Sequence, residues 1–248
     1  MSKTELYRTK LRALKTWDAF LLKESGLPGP RGNLELAQVV ADEGAAALYA
    51  RYLAYDAVRA PTNSPYEFLA FCGVVGLGRL VAEGQSEYLA ALRARAADPR
   101  WRIREGVALA LQRVGDRNLV LLLREMKKWS RGNLLEQRAA AAALCEPRLL
   151  HNPKQIEQVF GILDAITASV ARVENRKSDE FIALRKGLGY CWSVAVAALP
   201  HLGKPMMEKW FMSKDRDIRW IMRENLKKSR LARADVSWVT RWRTKFQV

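Results

Sequence analysis

A tryptophan and a glutamate lie one helical turn apart in the stretch DPRWRIREGVALALQR, residues 98–113, where Glu105 follows Trp101 by four positions. On a helix these two side chains share a face. A carboxylate beside an aromatic ring is suited to a group that carries or develops positive charge. The structural alternative is that Glu105 complements the helix N-terminus or pairs with an arginine, while Trp101 packs against the preceding helix.

A second set of residues is suited to phosphate. Five cations between positions 216 and 230 fall within an arc of roughly 80° on a helix that turns ~100° per residue: Arg216, Arg219, Arg223, Lys227 and Arg230. The opposite side carries the apolar residues Ile218, Ile221 and Met222. Such a row matches phosphates spaced along a nucleic-acid backbone. A solvated surface, partly offset by neighbouring acids, is the alternative.

The C-terminal stretch WVTRWRTKF, residues 238–246, repeats an aromatic residue every four positions. Trp238, Trp242 and Phe246 alternate there with arginines and a lysine. If exposed, these rings could stack on bases or wedge a base step. The alternative is a capping helix whose aromatic stripe closes the core.

The charge of the chain is concentrated at one end. Residues 181–248 contain 15 lysines and arginines against 5 aspartates and glutamates, whereas the whole chain carries a net charge of +16. This excess favours a polyanionic partner. The three cysteines lack metal-ligand spacing and are expected to be buried thiols, and His151 and His201 have no cysteine or acidic cluster near them, so we expect neither a metal nor a cofactor.

Apolar stretches shorter than the ~20 residues that span a bilayer favour a protein without a membrane segment. The N-terminal residues lack the apolar core of a signal peptide. We therefore expect a cytoplasmic protein, and a monomer. No phosphate-loop, nucleophile-elbow or zinc-protease motif occurs in the sequence.

Helical periodicity covers almost the whole chain, and no segment alternates as a strand would. Predicted helices include 4–23, 205–212 and 218–231. Three windows (98–111, 132–145 and 213–226) align on Arg104, Arg138 and Arg219, and each follows an amphipathic helix. This pattern is typical of antiparallel helix pairs stacked into a superhelical array.

The sequence thus predicts an all-α, HEAT-like α-solenoid in a single domain over 1–248. Capping helices would occupy 1–60, repeats 61–231, and a basic and aromatic helix 232–248.

Three passages carry a resemblance to a known family: YLAALRARAADPRWRIRE (88–105), KKWSRGNLLEQRAAAAALCE (127–146) and KGLGYCWSVAVAAL (186–199). In order and spacing they resemble the HEAT-like DNA alkylation repair glycosylases, the AlkD-type family. That family has an aspartate, preceded by an aromatic pair, where this chain has Glu105 and the single Trp101. Outside this family, the windows resemble HEAT repeats in general.

The resemblance implies a site on DNA. Trp101 would face the nucleotide that bears the lesion, Glu105 would occupy the position of the family's carboxylate, Arg138 would hold a backbone phosphate, and Tyr190 would provide a second aromatic ring. Loss of an alkylated purine develops oxocarbenium character on the sugar, which a nearby carboxylate stabilises. Glu105, Trp101 and Tyr190 are therefore the candidate catalytic residues.

The expectation is a DNA-binding HEAT-like protein related to DNA repair, which grips duplex backbone through a basic concave face. The residues expected to bind DNA are Arg104, Arg138, Arg216, Arg219, Arg223, Lys227 and Arg230. As an enzyme it would be a DNA N-glycosylase acting on alkylated purines. The alternative is a non-enzymatic scaffold that binds a protein partner, as many HEAT-repeat arrays do.

Overall fold

The computed structural model describes residues 2–246, and all regular structure within that range is helical. The predicted all-α class is therefore confirmed. The chain forms two compact units, Met1–Arg117 (unit 1) and Asn118–Val248 (unit 2).

Unit 1 contains seven α-helices within its described residues. They are α1 (Lys3–Ala13), α2 (Asp18–Glu24), α3 (Leu34–Glu43), α4 (Ala46–Leu53), α5 (Pro65–Ala82), α6 (Tyr88–Arg95) and α7 (Trp101–Arg117). The central helix is α5, which packs against α2, α3, α4, α6 and α7. Ser64 caps it by accepting a hydrogen bond from the Glu67 amide, and Pro65 occupies its first turn, where a missing N–H costs nothing.

Helix α5 is apolar on all sides, as is typical of a helix that is surrounded by other helices. It is the one helix in the described range with the length and hydropathy to cross a membrane, yet 78% of it is buried inside the protein. Its closest neighbour is α7. A Cβ at Gly78 would lie 2.5 Å from the Ala110 Cα atom. The backbones of α5 and α7 are therefore too close together to accommodate a side chain at position 78.

Unit 2 contains eight α-helices and one short 3-10 turn (Pro147–Leu149) among its described residues. The helices are α8 (Leu119–Trp129), α9 (Leu134–Leu144), α10 (Pro153–Val170), α11 (Asp179–Ala198), α12 (Pro200–Phe211), α13 (Arg216–Leu226), α14 (Ser229–Ala234) and α15 (Val236–Phe246). Several begin at a side-chain cap, supplied for example by Asn118, Asn133, Ser178 and Asp215.

The helices α8 to α13 pack as three consecutive pairs: α8 with α9, α10 with α11, and α12 with α13. The first helices of the pairs contact one another in chain order, and so do the second helices. Unit 2 is therefore built from two helical layers. One contains α8, α10 and α12, and the other contains α9, α11 and α13.

Two predicted helices are each interrupted. The helix predicted over 4–23 is α1 and α2, because Leu14 adopts an extended conformation and the Trp17 indole donates to the Leu11 carbonyl at 2.9 Å. The helix predicted over 218–231 ends at Leu226, whose carbonyl accepts two hydrogen bonds from Arg243, at 3.0 and 2.7 Å. In both places the apolar spacing continues across the break, so periodicity alone misses it.

The helix predicted over 205–212 begins five residues earlier, at Pro200. Pro205, which the predicted range places at the first position of the helix, lies inside α12. The start of this helix is held by tight packing: a Cβ at Gly203 would lie 2.5 Å from the Phe160 ring and 2.9 Å from the Val196 backbone.

Candidate functional site

Trp101 and Glu105 line one cavity in unit 1, with a volume of about 240 Å³. Trp101 is the first residue of α7, and Glu105 follows one turn later on the same side, as the spacing predicts. Three parts of unit 1 form the wall: the segment that leads into α3, the start of α5, and α7. The lining residues are Leu27, Arg31, Gly32, Leu34, Phe68, Phe71, Trp101, Arg102, Glu105 and Leu109.

Arg102 forms the buried polar part of this wall. Its two terminal nitrogens donate to the Glu67 carboxylate at 3.1 Å, the Gly29 carbonyl at 2.5 Å and the Asn63 side chain at 3.2 Å. Glu67 itself is completely buried. The Trp101 ring lies 4.5 Å from the Arg102 guanidinium carbon and remains 46% exposed. Trp101 therefore covers a buried cation and still faces solvent.

The sequence patterns gave no indication of Arg102, because its partners are 35, 39 and 73 positions away. Arg104, expected to bind DNA, is half-buried and donates to the carbonyls of Asp98 at 2.7 Å and Pro99 at 2.8 Å. It therefore stabilises the Asp-Pro corner that opens α7.

The second site is the side of the α9–α11–α13 layer that α8, α10 and α12 do not cover. Partly or fully exposed residues recur there at helical spacing: Leu134, Arg138 and Ala142 on α9, Ala183, Lys186 and Tyr190 on α11, and Arg216, Trp220 and Arg223 on α13. Lys227 follows directly at the end of α13. We call Arg138, Lys186, Tyr190, Arg223 and Lys227 the cationic face.

Neighbouring helices approach closely on this side. A Cβ at Gly187 of α11 would lie 3.3 Å from the Arg138 Cγ atom, so the aliphatic part of Arg138 rests on the glycine. Arg138 and Lys186 are thereby brought together from two helices that are separated by the whole of α10 in the sequence.

Tyr190 is 43% exposed and is surrounded by positive charge. The Arg230 guanidinium carbon lies 4.4 Å from the ring centroid, and the Lys228 ammonium lies 5.9 Å from it. Arg230 also donates a hydrogen bond to the Tyr190 hydroxyl. Arg230 belongs to α14, so it does not extend the α13 row as predicted, but it reaches the same aromatic residue on α11.

The cations of the α13 row differ in their surroundings. Arg216 lies 3.5 Å from the Asp217 carboxylate, with its side chain 83% exposed, and Lys227 pairs with Glu224 at 2.6 Å. The Arg219 guanidinium stacks over the Phe246 ring at 5.0 Å. The apolar residues Ile218, Ile221 and Met222 are buried, as the pattern predicts.

The three aromatic residues of α15 close the core. Trp238, Trp242 and Phe246 are buried around Phe211, with ring centroids 5.7, 4.4 and 5.2 Å from it. Both indoles donate to Glu208, at 2.6 and 3.0 Å. The capping alternative is confirmed for these rings, and they are not available to stack on bases.

The cysteines Cys72, Cys145 and Cys191 are buried free thiols, as predicted. Burial raises the pKa of the Cys72 thiol well above its ordinary value. Comparisons of this chain with protein-family models, with curated proteins and with solved structures give no match.

Proposed function

We propose that this protein binds duplex DNA, mainly through the phosphate backbone, with the cationic face of unit 2. The observation that supports the proposal is that Arg138, Lys186 and Arg223 come from three successive helices of one layer and remain partly or fully exposed on the side that α8, α10 and α12 do not cover. Lysine and arginine side chains neutralise phosphates and release condensed counterions, which supplies most of the affinity for DNA.

The spacing of the face suits a nucleic-acid strand. Packed helices lie about 8–10 Å apart, and the phosphates of one strand of B-DNA rise by ~3.4 Å per nucleotide along the duplex axis. Cations on neighbouring helices would therefore contact nearby phosphates of the same strand. Tyr190, with its flanking Arg230 and Lys228, would lie against the sugar or the edge of the groove.

The charge balance of the units favours the same region. Unit 2 contains 25 lysines and arginines against 13 aspartates and glutamates, whereas unit 1 contains 17 against 13. The surplus of unit 2 attracts a polyanion at long range. Contacts of this kind fix orientation without reading bases, so we expect weak sequence preference.

The arrangement of helix pairs supports a HEAT-like architecture, which we include in the proposal. In unit 2 first helices pack on first helices and second helices on second helices. This is how paired-helix repeats bury their apolar stripes on their neighbours. The uncovered second-helix side is then the surface that such an array presents to a partner.

The test is the binding of a labelled duplex, followed by fluorescence anisotropy over a salt series from about 50 to 200 mM. Wild type is expected to bind, with affinity that falls as salt rises. In the variant K186Q/R223Q two phosphate contacts are lost, so the slope of log K against log salt should become shallower by about 1.8.

The matched control is K127Q/K154Q, which removes the same charge from exposed positions on α8 and α10 in the other layer. It should bind DNA as wild type does. Equal losses in both variants would mean that only net charge matters and would contradict the assignment of the face. Absence of duplex binding by wild type at low salt would reject the proposal and leave the protein-scaffold alternative.

A second candidate function is the release of alkylated bases from DNA. It is favoured by the finding that Trp101 and Glu105, the pair implied by the family resemblance, line the same cavity. The test incubates duplex containing 7-methylguanine with wild type and E105Q and measures free base. The control E87Q changes an exposed carboxylate elsewhere in unit 1. Release by wild type and E87Q but not by E105Q would establish the reaction; equal release by all, or none, removes it.

A further inference from the structure

The cavity of unit 1 has the composition of a small-molecule site. We propose that it binds a compact, mostly apolar molecule carrying one anionic group, such as an aromatic or branched carboxylate. This inference does not rest on the proposed DNA binding, since every residue that lines the cavity belongs to unit 1.

The apolar part of the wall comes from three directions. Leu27 and Leu34 flank the segment that leads into α3, Phe68 and Phe71 project from α5, and Leu109 lies on α7. The Trp101 ring adds an aromatic surface at the solvent side. A volume of about 240 Å³ accommodates a ring system or a short branched chain. Burial of such a group is favourable by about 25 cal/mol per Å² of apolar surface.

The charged groups at the cavity favour an anion over a cation. The charged residues of its wall are Arg31, Arg102 and Glu105, and Arg102 is already paired with the buried Glu67 at 3.1 Å. Arg31 is exposed and forms no ion pair with any residue in the described range 2–246. Glu105 already interacts with other groups of the protein. A ligand carboxylate could therefore pair with Arg31, whose guanidinium can bind it in bidentate geometry.

Arg102 is the cation of the wall that the protein itself satisfies. It is 7% exposed and already donates to Glu67, Gly29 and Asn63. Arg31 is therefore the cation that a ligand in the cavity would meet.

The wall of the cavity is held in place before any ligand binds. The Gly29 amide donates to the Asn63 side chain at 2.9 Å, and the Gly29 carbonyl accepts from Arg102. At the other end of the same segment, the Asn33 amide group donates to the Tyr7 hydroxyl at 2.9 Å and the Glu24 carbonyl at 2.8 Å. Ligand sites are usually preformed in this way, which lowers the entropic cost of binding.

The experiment uses a pair of fluorescent probes with the same apolar body. They are 1-anilinonaphthalene-8-sulfonate, which is anionic, and N-phenyl-1-naphthylamine, which lacks the sulfonate. Titration of the full chain is expected to show one site for each probe, with the anionic probe bound about tenfold more tightly. In R31Q the anionic probe should lose this tenfold advantage, while the neutral probe binds as before.

Two variants test the location. A Cβ at Gly32 would lie 3.8 Å from the Phe68 ring and 3.8 Å from the Ser25 carbonyl, both ordinary contact distances, so G32L fills the cavity without a clash at the first carbon. L109W fills it from α7. Either variant that keeps the wild-type circular dichroism spectrum should lose both probes by at least tenfold. R59Q, an exposed arginine of unit 1 that does not line the cavity, is the charge control and should bind both probes normally.

Several outcomes would overturn the proposal. They are no saturable binding of either probe, equal affinity of the two probes in wild type, an unchanged preference in R31Q, or undiminished binding in folded G32L and L109W. Loss of the preference in R59Q as well would show that net charge, and not Arg31, selects the anion.

Discussion

Asp217, at the start of α13, is a buried carboxylate that two arginines stabilise. Its side chain is 4% exposed and accepts hydrogen bonds from Arg176 at 2.9 Å and Arg185 at 2.6 Å. Burial by itself would raise the pKa of this carboxyl, but the hydrogen bonds from the two arginines outweigh it and hold the pKa below its ordinary value. Asp215 beside it caps the helix and also pairs with Arg176, at 2.7 Å.

The lowered pKa of Asp217 predicts how the stability of the protein depends on pH. The stabilisation from Asp217 is fully present above the pKa of the unfolded chain, about 3.9, and is lost as the pH falls through the lower folded value. D217N should be less stable than wild type by about 1.5–3 kcal/mol at neutral pH, as expected for hydrogen bonds to a charged group. The difference should shrink below about pH 4.

Urea denaturation at a series of pH values measures this difference. E157Q, which alters an exposed carboxylate on α10, should differ little from wild type at any pH. A D217N variant whose deficit stays constant down to about pH 2 would show that the ionised carboxylate is not the source of the stability.

At the residue scale, the sequence predicted what local spacing determines. The four-residue interval placed Trp101 and Glu105 on one face, and both line the same cavity. The interval could not reveal Arg102 or Phe68 as their neighbours, since those contacts depend on how α5 and the segment before α3 pack on α7. The roles of Glu105, Trp101 and Tyr190 in catalysis remain predictions.

At the scale of the elements, hydrophobic periodicity located most of the helices. It failed where a tertiary hydrogen bond ends a helix, as the bond from Arg243 to the Leu226 carbonyl does. It also failed in α12, where the helix begins before Pro205 and continues through it. These helix ends depend on contacts with residues far away in the sequence, so the hydrophobic pattern within one helix cannot predict them. The helix pairs predicted at the windows 132–145 and 213–226 are observed as α8 with α9 and α12 with α13, whereas their stacking into a solenoid stays a prediction.

The contact between α5 and α7 gives a prediction for this scale. G78A should destabilise the protein by about 1–3 kcal/mol, because the new methyl group would lie 2.5–2.8 Å from backbone atoms of Ala110 and force the helices apart. The comparison is G161A on α10. Nothing lies within 4 Å of a Cβ there, so alanine should stabilise the helix, by up to about 1 kcal/mol.

Thermal and urea unfolding of the two glycine variants, measured side by side, test this prediction. Opposite signs are expected, since the same chemical change improves helix propensity in one place and creates a backbone clash in the other. If G78A were as stable as wild type, α5 and α7 would not be in the close contact described here.

At the scale of the whole molecule, composition was the most informative property of the sequence. The excess of lysine and arginine after residue 180 predicted a cationic region, and the second-helix layer of unit 2 carries part of it on its uncovered side. Composition could not predict which cations would be neutralised. Arg176 and Arg185 pair with the buried Asp217, whereas Lys186, one residue after Arg185 on α11, is exposed. A count of charges therefore overestimates the number available to a partner.

The position of Trp101 has an optical consequence. Trp101 is the most exposed of the eight tryptophans, all of which lie within residues 2–246, and its ring lies over the guanidinium of Arg102 in the wall of the cavity. A molecule entering the cavity would change the polarity around this indole more than around Trp129 or Trp192, which are completely enclosed. The intrinsic fluorescence of unit 1 is thus a built-in reporter of occupancy, and a W101F variant would identify its share of the emission.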